Sequence, residues 1–179
     1  MISERDAVKG KTLASVAAVI EGEERKILLI CEGDLPYHKS WVVPGGYVKS
    51  DETVKQAIIR EVREETGLEI LPTKFVGVYD DFLSEKDEPM HHIIATYEAT
   101  VIGGRILITK EATEYAWMSP EEALGSPQVP DIFKRMLDDF RKQNQTGLIS
   151  RLRKFSDSHF RPDKAKKSLR EGGSAKNEC

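Results

Sequence analysis

The segment WVVPGGYVKSDETVKQAIIREVREETGLEI, residues 41–70, constrains this chain more than any other. In its second half, Val54, Ala57, Ile58 and Val62 recur at the spacing of one helix face. Asp51 reads as the N-cap of that helix and Gly67 as the residue that ends it. Glu61, Glu64 and Glu65 stand three and four residues apart and so crowd onto one patch. Like charges at that spacing cost a helix roughly a few tenths of a kcal/mol per pair. The plain reading is an exposed acidic face that keeps the protein soluble. The sharper one is a cation site, because carboxylates gathered on one face repel each other unless a positive charge sits among them. Ahead of the helix, Pro44-Gly45-Gly46 stops the short strand 41–43 and offers a backbone that a metal ion or a phosphate can approach closely.

The rest of the chain supplies a frame for that segment. The 179 residues, 39% of them hydrophobic, suit one domain with a full core and an appendage. TLASVAAVI (12–20) and KILLICEG (26–33) are apolar, β-rich runs joined by polar EGEER, the pattern of a hairpin. KFVGVYDDF (74–82), HHIIATYEATVI (91–102) and EYAWMS (114–119) are further strand candidates. Pro120 opens a short helix, and residues 131–143 form an amphipathic one with Ile132, Phe133, Met136, Leu137 and Phe140 inward. Strands and helices in this order predict an α+β fold, a mixed central sheet with helices packed on it.

Charge divides the chain. Residues 144–179 carry nine Lys/Arg and four Asp/Glu, leaving a net charge of −8 on residues 1–143. The boundary is expected near 143–147, with a domain over 8–143 and a basic extension over 144–179 that is partly helical and then loosely ordered. Leu148, Ile149, Leu152 and Phe155 fit one helix face in that extension. A basic arm with Phe155 and Phe160 also suits nucleic acid or an acidic membrane, but the plainer reading is a helical extension of the domain. The net charge of −3 and the short apolar runs predict neither a nucleic-acid nor a membrane partner. Cys31 and Cys179 lie too far apart in sequence to read as a CxxC metal site or a disulfide framework, so a reduced, cytoplasmic protein is expected.

From Gly46 onward the spacing is Gly, five residues, Glu52, seven residues, Arg60-Glu61-Val62, one residue, Glu64-Glu65, one residue, Gly67-Leu68. This matches the Nudix box, G-x5-E-x7-R-E-U-x-E-E-x-G-U with U a bulky aliphatic, at every defined position. The chain therefore resembles the Nudix hydrolases. The box spans residues 46–68, and the strand order over roughly 10–143 is compatible with a whole Nudix domain. That resemblance implies an α/β/α sandwich. It implies Mg²⁺, with Mn²⁺ as a substitute, held by Glu61, Glu64 and Glu65 and by the carbonyl of Gly45. Glu52 and Arg60 would brace the loop and hold the carboxylates in place. It also implies cleavage of a nucleoside diphosphate linked to a group X, giving a nucleoside monophosphate and phosphorylated X. Nucleoside triphosphates, oxidised ones included, are the alternative substrates. A nucleotide sensor without turnover and an RNA-decapping enzyme are further alternatives. Retention of every box glutamate speaks against the sensor.

The base that takes a proton from water would be Glu64 or Glu65 or, as the resemblance to members with a base in the loop before a Trp-bearing strand implies, a residue outside the box ahead of Trp117, with Glu111 the first candidate and Glu114 the runner-up. Substrate identity is thinly encoded. Trp41, Tyr47 and Tyr79 are candidates for contact with a nucleotide, and Tyr37, His38, Phe82, His91 and His92 could join them, but aromatics stack on any base. An adjacent His pair inside a strand points to opposite faces, which argues against His91 and His92 as joint metal ligands. The proline that ADP-ribose-specific members often carry beyond the box is missing from DDFLSEK (80–86). A homodimer is compatible with the sequence and is not specified by it.

Overall fold

The computed structural model describes residues 10–33, 36–85, 88–107, 109 and 112–159, with backbone alone for 85, 88 and 147–159. The chain divides into two compact units, Met1–Asn144 and Gln145–Cys179. Among the described residues, seven strands and three α-helices follow in the order β1 (Lys11–Ile20), β2 (Ile27–Glu32), β3 (Trp41–Val42), β4 (Gly45–Tyr47), α1 (Val54–Thr66), β5 (Leu68–Glu85), β6 (Glu88–Gly104), β7 (Ala112–Met118), α2 (Pro120–Gly125) and α3 (Asp131–His159). One sheet has the order β4-β1-β6-β5 and the other β3-β2-β7. In the first, β1 runs parallel to β6, while β4 and β5 pair antiparallel with their neighbours, so the sheet is mixed.

The expected hairpin of β1 and β2 is not a paired ladder. A single bridge, Glu21 to Ile27, closes the turn between them, and the strands then enter different sheets. The reason lies in their composition. Both are apolar on both faces, which an exposed hairpin could not bury. Ala17, Val19, Ile27 and Leu29 join a core with Ile132, Phe133, Met136, Leu137 and Phe140 of α3. Val16, Ala18, Ile20 and Leu28 join a second core with Ala57, Ile58 and Val62 of α1. Strand alternation thus sends successive residues to opposite helices, and the result is helix, sheet, helix.

Other expectations shift by a few residues. The N-cap of α1 is Thr53 rather than Asp51: its hydroxyl accepts from the Gln56 N–H and the Gln56 side chain accepts from the Thr53 N–H, a reciprocal cap. Val54, in the first turn, is exposed. Gly67 ends the helix in the left-handed region, φ 71°. The β5 and β6 strands are much longer than the apolar runs that announced them, because cross-strand pairing carries through polar residues to Ser84–Pro89. The helix α3 continues through the segment 143–147 to His159. The side chains of Leu148, Ile149, Leu152 and Phe155, and residues 160–179, lie outside the described residues.

Candidate active site

The loop after β3 is where the two sheets exchange the chain. Trp41 and Val42 pair with β2, whereas Gly45–Tyr47 pair with β1. Pro44 lies between them and lacks an N–H, so one ladder cannot run straight through it. Its carbonyl accepts from the Ala18 N–H at 2.8 Å. The glycines that read as a loop therefore form a short strand, and their lack of a side chain is what allows it. A Cβ on Gly45 would stand 2.1 Å from the Val16 carbonyl oxygen, and one on Gly46 would stand 2.4 Å from the Glu61 carboxyl carbon. The strand thus rests against β1 on one side and against the acidic face of α1 on the other.

Arg60 organises that face. Its guanidinium donates to both carboxylate oxygens of Glu52, to Glu64 at 2.9 Å and to the Tyr47 carbonyl at 3.0 Å, and pairs with Glu61 at 2.8 Å. Glu52 also accepts the Lys49 N–H at 2.8 Å. Hydrogen bonding to Arg60, reinforced by the Lys49 amide, lowers the Glu52 carboxyl from its ordinary range to about 2. The same contacts, Glu52 first, push the Arg60 pKa further up. Glu65 is 4% exposed and accepts the Gly45 N–H at 2.9 Å. The Arg60 guanidinium and the Gly45 amide therefore offset part of the repulsion read from the sequence.

Glu61, Glu64 and Glu65 share a cavity of about 440 Å³ with Gly45, Gly46, Arg60 and Lys49. Its other walls include Ser15, Glu32, Tyr37, Tyr47, His92, Ile94 and Phe133. Among the described residues, no three His, Cys, Asp or Glu side chains are already arranged to hold a metal ion. As a donor set the site nonetheless fits a hard divalent cation. It offers three carboxylates and a close-approaching glycine backbone, at a cradle that a Cβ on Gly46 would fill.

The structure sorts the remaining candidates. Tyr47 lines the cavity, while Trp41 and Tyr79 are not among its walls. Trp41 packs against the core beside β2, and Tyr79 is buried and donates to Asp139 of α3 at 3.0 Å. His91 and His92 do face opposite ways. His91 stacks on Phe82 and meets Asp80 on the outside, and His92 is 3% exposed in the cavity wall. Glu114 lies with Glu65 on a separate cleft. Glu111 lies outside the described residues. Lys49, Ser15, Glu32 and Phe133 were not singled out from the sequence as site residues. They come from four different elements and loops, and only the fold assembles them. For His92 the strand alternation did carry a signal, since one member of the pair had to face inward.

The model of the NUDIX domain matches residues 11–140. An ADP-ribose pyrophosphatase of Methanocaldococcus jannaschii is 34% identical over 118 residues, which cover 64% of this chain and 68% of that protein. The CTP pyrophosphohydrolase of Escherichia coli K12 is 32% identical over 120 residues, 67% of this chain and 85% of that protein. Among solved structures, a MutT protein from Methanosarcina mazei superposes with a TM-score of 0.66 at 27% identity, covering 77% of this chain and 99% of that one. The chain belongs to the Nudix family and has its fold. It is a Nudix hydrolase, an enzyme acting on pyrophosphate bonds.

Proposed function

We propose that this hydrolase is a divalent-cation-dependent pyrophosphohydrolase of nucleoside diphosphates linked to a second group X, releasing a nucleoside monophosphate and phosphorylated X. The observation that carries the reading is the juxtaposition in one cavity of Arg60-braced carboxylates with an aromatic and apolar wall. One end suits phosphates bridged by cations and the other suits a flat base. The residues that would hold Mg²⁺, or Mn²⁺ in its place, are Glu61, Glu64, Glu65 and the backbone of Gly45. When bound, the cation supplies positive charge to the phosphate oxygens and makes a water more acidic.

The chain's own residues do the rest. Arg60 and Glu52 fix the direction of the carboxylates, and the Gly45 amide holds Glu65. Lys49 adds a positive charge on the cavity wall for a phosphate oxygen. Glu64 is assigned as the base, because its half-exposed carboxylate can pass a proton on to solvent. Glu65 and Glu111 are the alternatives. Similarity to the CTP pyrophosphohydrolase supports a second reading, cleavage of nucleoside triphosphates. A panel of sugar- and alcohol-linked nucleoside diphosphates and of nucleoside triphosphates, with Mg²⁺ or Mn²⁺ and with products identified, separates the two. Nucleoside monophosphate with phosphorylated X is the expected outcome. Pyrophosphate as the main product would establish the second reading instead.

We also propose that residues 8–143 form the catalytic domain and 144–179 a basic extension, with neither nucleic acid nor membrane as a partner. No helix among the described residues is long and apolar enough to cross a membrane.

A further inference from the structure

The cavity has two polar groups on its β-sheet wall that the protein leaves poorly served. Ser15 is 7% exposed, and its hydroxyl has no hydrogen-bond partner. The His92 imidazole meets the Tyr47 hydroxyl through Nε2 at 3.4 Å, the long limit of such a contact. The two share one face of the sheet. β1 and β6 are parallel neighbours with Ser15 beside Ile94, and Ile94 and His92 alternate onto the same side. All three line the cavity. Buried polar groups are normally satisfied, and the Ser15 hydroxyl, left open on a cavity wall beside an imidazole held by one long contact, calls for a ligand.

The surroundings say what kind of ligand. Ile94, Phe133 and the Tyr37 ring, which meets Phe133 edge-on at 5.0 Å, make an apolar surface next to these groups. Of the cations on the cavity wall, Arg60 is bound to Glu52, and the Lys49 charge acts on the same carboxylate. The carboxylate of Glu32 lines the cavity as well and disfavours an anion near it. Burial keeps the imidazole below its ordinary pKa, so at neutral pH it offers one donor and one acceptor. A flat, uncharged heteroaromatic ring with a polar edge fits this end, and a phosphate or an acidic group does not. The Tyr47 carbonyl is also held by Arg60, so one residue joins this wall to the carboxylate cluster.

We infer that His92 and Ser15 are specificity-determining residues, whose ring nitrogen and hydroxyl read the polar edge of the substrate's base. This rests on the proposed nucleotide reading of the same cavity. The test is calorimetric titration of the full chain with AMP, CMP, GMP, UMP and ribose 5-phosphate. The wild-type protein is expected to bind one nucleotide at least about tenfold more tightly than ribose 5-phosphate, and His92→Phe to lose most of that margin. His92→Gln, which keeps a donor and an acceptor, should recover part of it. Ser15→Ala, a small change that the fold accommodates, carries the test if His92→Phe does not fold. Equal preference in the wild type and in the folded variants would overturn the inference, as would a wild type that binds none of the five. A wild type that binds with this His92-dependent preference yet cleaves no nucleotide would instead overturn the proposed reaction.

Discussion

At the scale of single residues, Gly45 and Gly46 are adjacent and have different jobs. A side chain on Gly45 would meet the backbone of β1, which cannot move without breaking strand pairing. A side chain on Gly46 would meet the tip of Glu61, which can swing away. Gly45→Ala should therefore destabilise the fold by about 1–3 kcal/mol, as overpacking does, measured by urea unfolding. Gly46→Ala should leave the unfolding midpoint nearly unchanged and lower kcat, because it displaces Glu61 from Arg60. Glu52 gives a pH signature. Its folded pKa of about 2 lies below the ordinary carboxylate value, so its contribution is complete above that ordinary value, about 4.3. It is lost as pH falls through the folded value. Glu52→Gln should be less stable than the wild type at pH 7, and the gap should narrow toward pH 2. A gap that widens on acidification would contradict the Arg60 assignment.

At the scale of elements, α1 was the most legible part of the molecule. Its periodicity, its terminal glycine and its box spacing all lie within one stretch, and Glu52, Glu61 and Glu64, eight, one and four residues from Arg60, meet at its guanidinium. Its start was misplaced because Asp51 and Thr53 are both good caps. Only Thr53 stands three residues before Gln56, which completes the reciprocal bond. Thr53→Ala should cost about 1 kcal/mol, read from denaturant unfolding. The paired hairpin of β1 and β2 failed for a long-range reason. The β1 strand finds its partners 28 to 79 residues away, and β2 pairs with β7 80 to 91 residues away as well as with nearby β3, which local pattern does not reveal. The same long-range pairing hid half of the cavity. Ser15 and His92 become neighbours only through the β1–β6 ladder, and Phe133 arrives from α3.

At the scale of the whole molecule, the two cores on either side of the central strands fix the position of the cavity. α1 supplies the carboxylates from one side and α3 supplies Phe133 from the other. Gln143 donates to the Val76 carbonyl at 2.8 Å and Phe140 is buried, so the helix is needed at least that far. A chain ending at Asn144 should keep turnover within about threefold of the full length, a change under 1 kcal/mol in activation free energy. A larger loss would place residues beyond Asn144 in the catalytic unit. In the reaction we propose, the α1 carboxylates, aimed by Arg60 and the Gly45 amide, form the cation-dependent hydrolytic site. Turnover of the best nucleotide substrate by Glu65→Gln, beside the wild type at saturating Mg²⁺, tests it most directly. A loss of at least about a hundredfold with an unchanged unfolding midpoint is predicted. Equal turnover by the two proteins would contradict it.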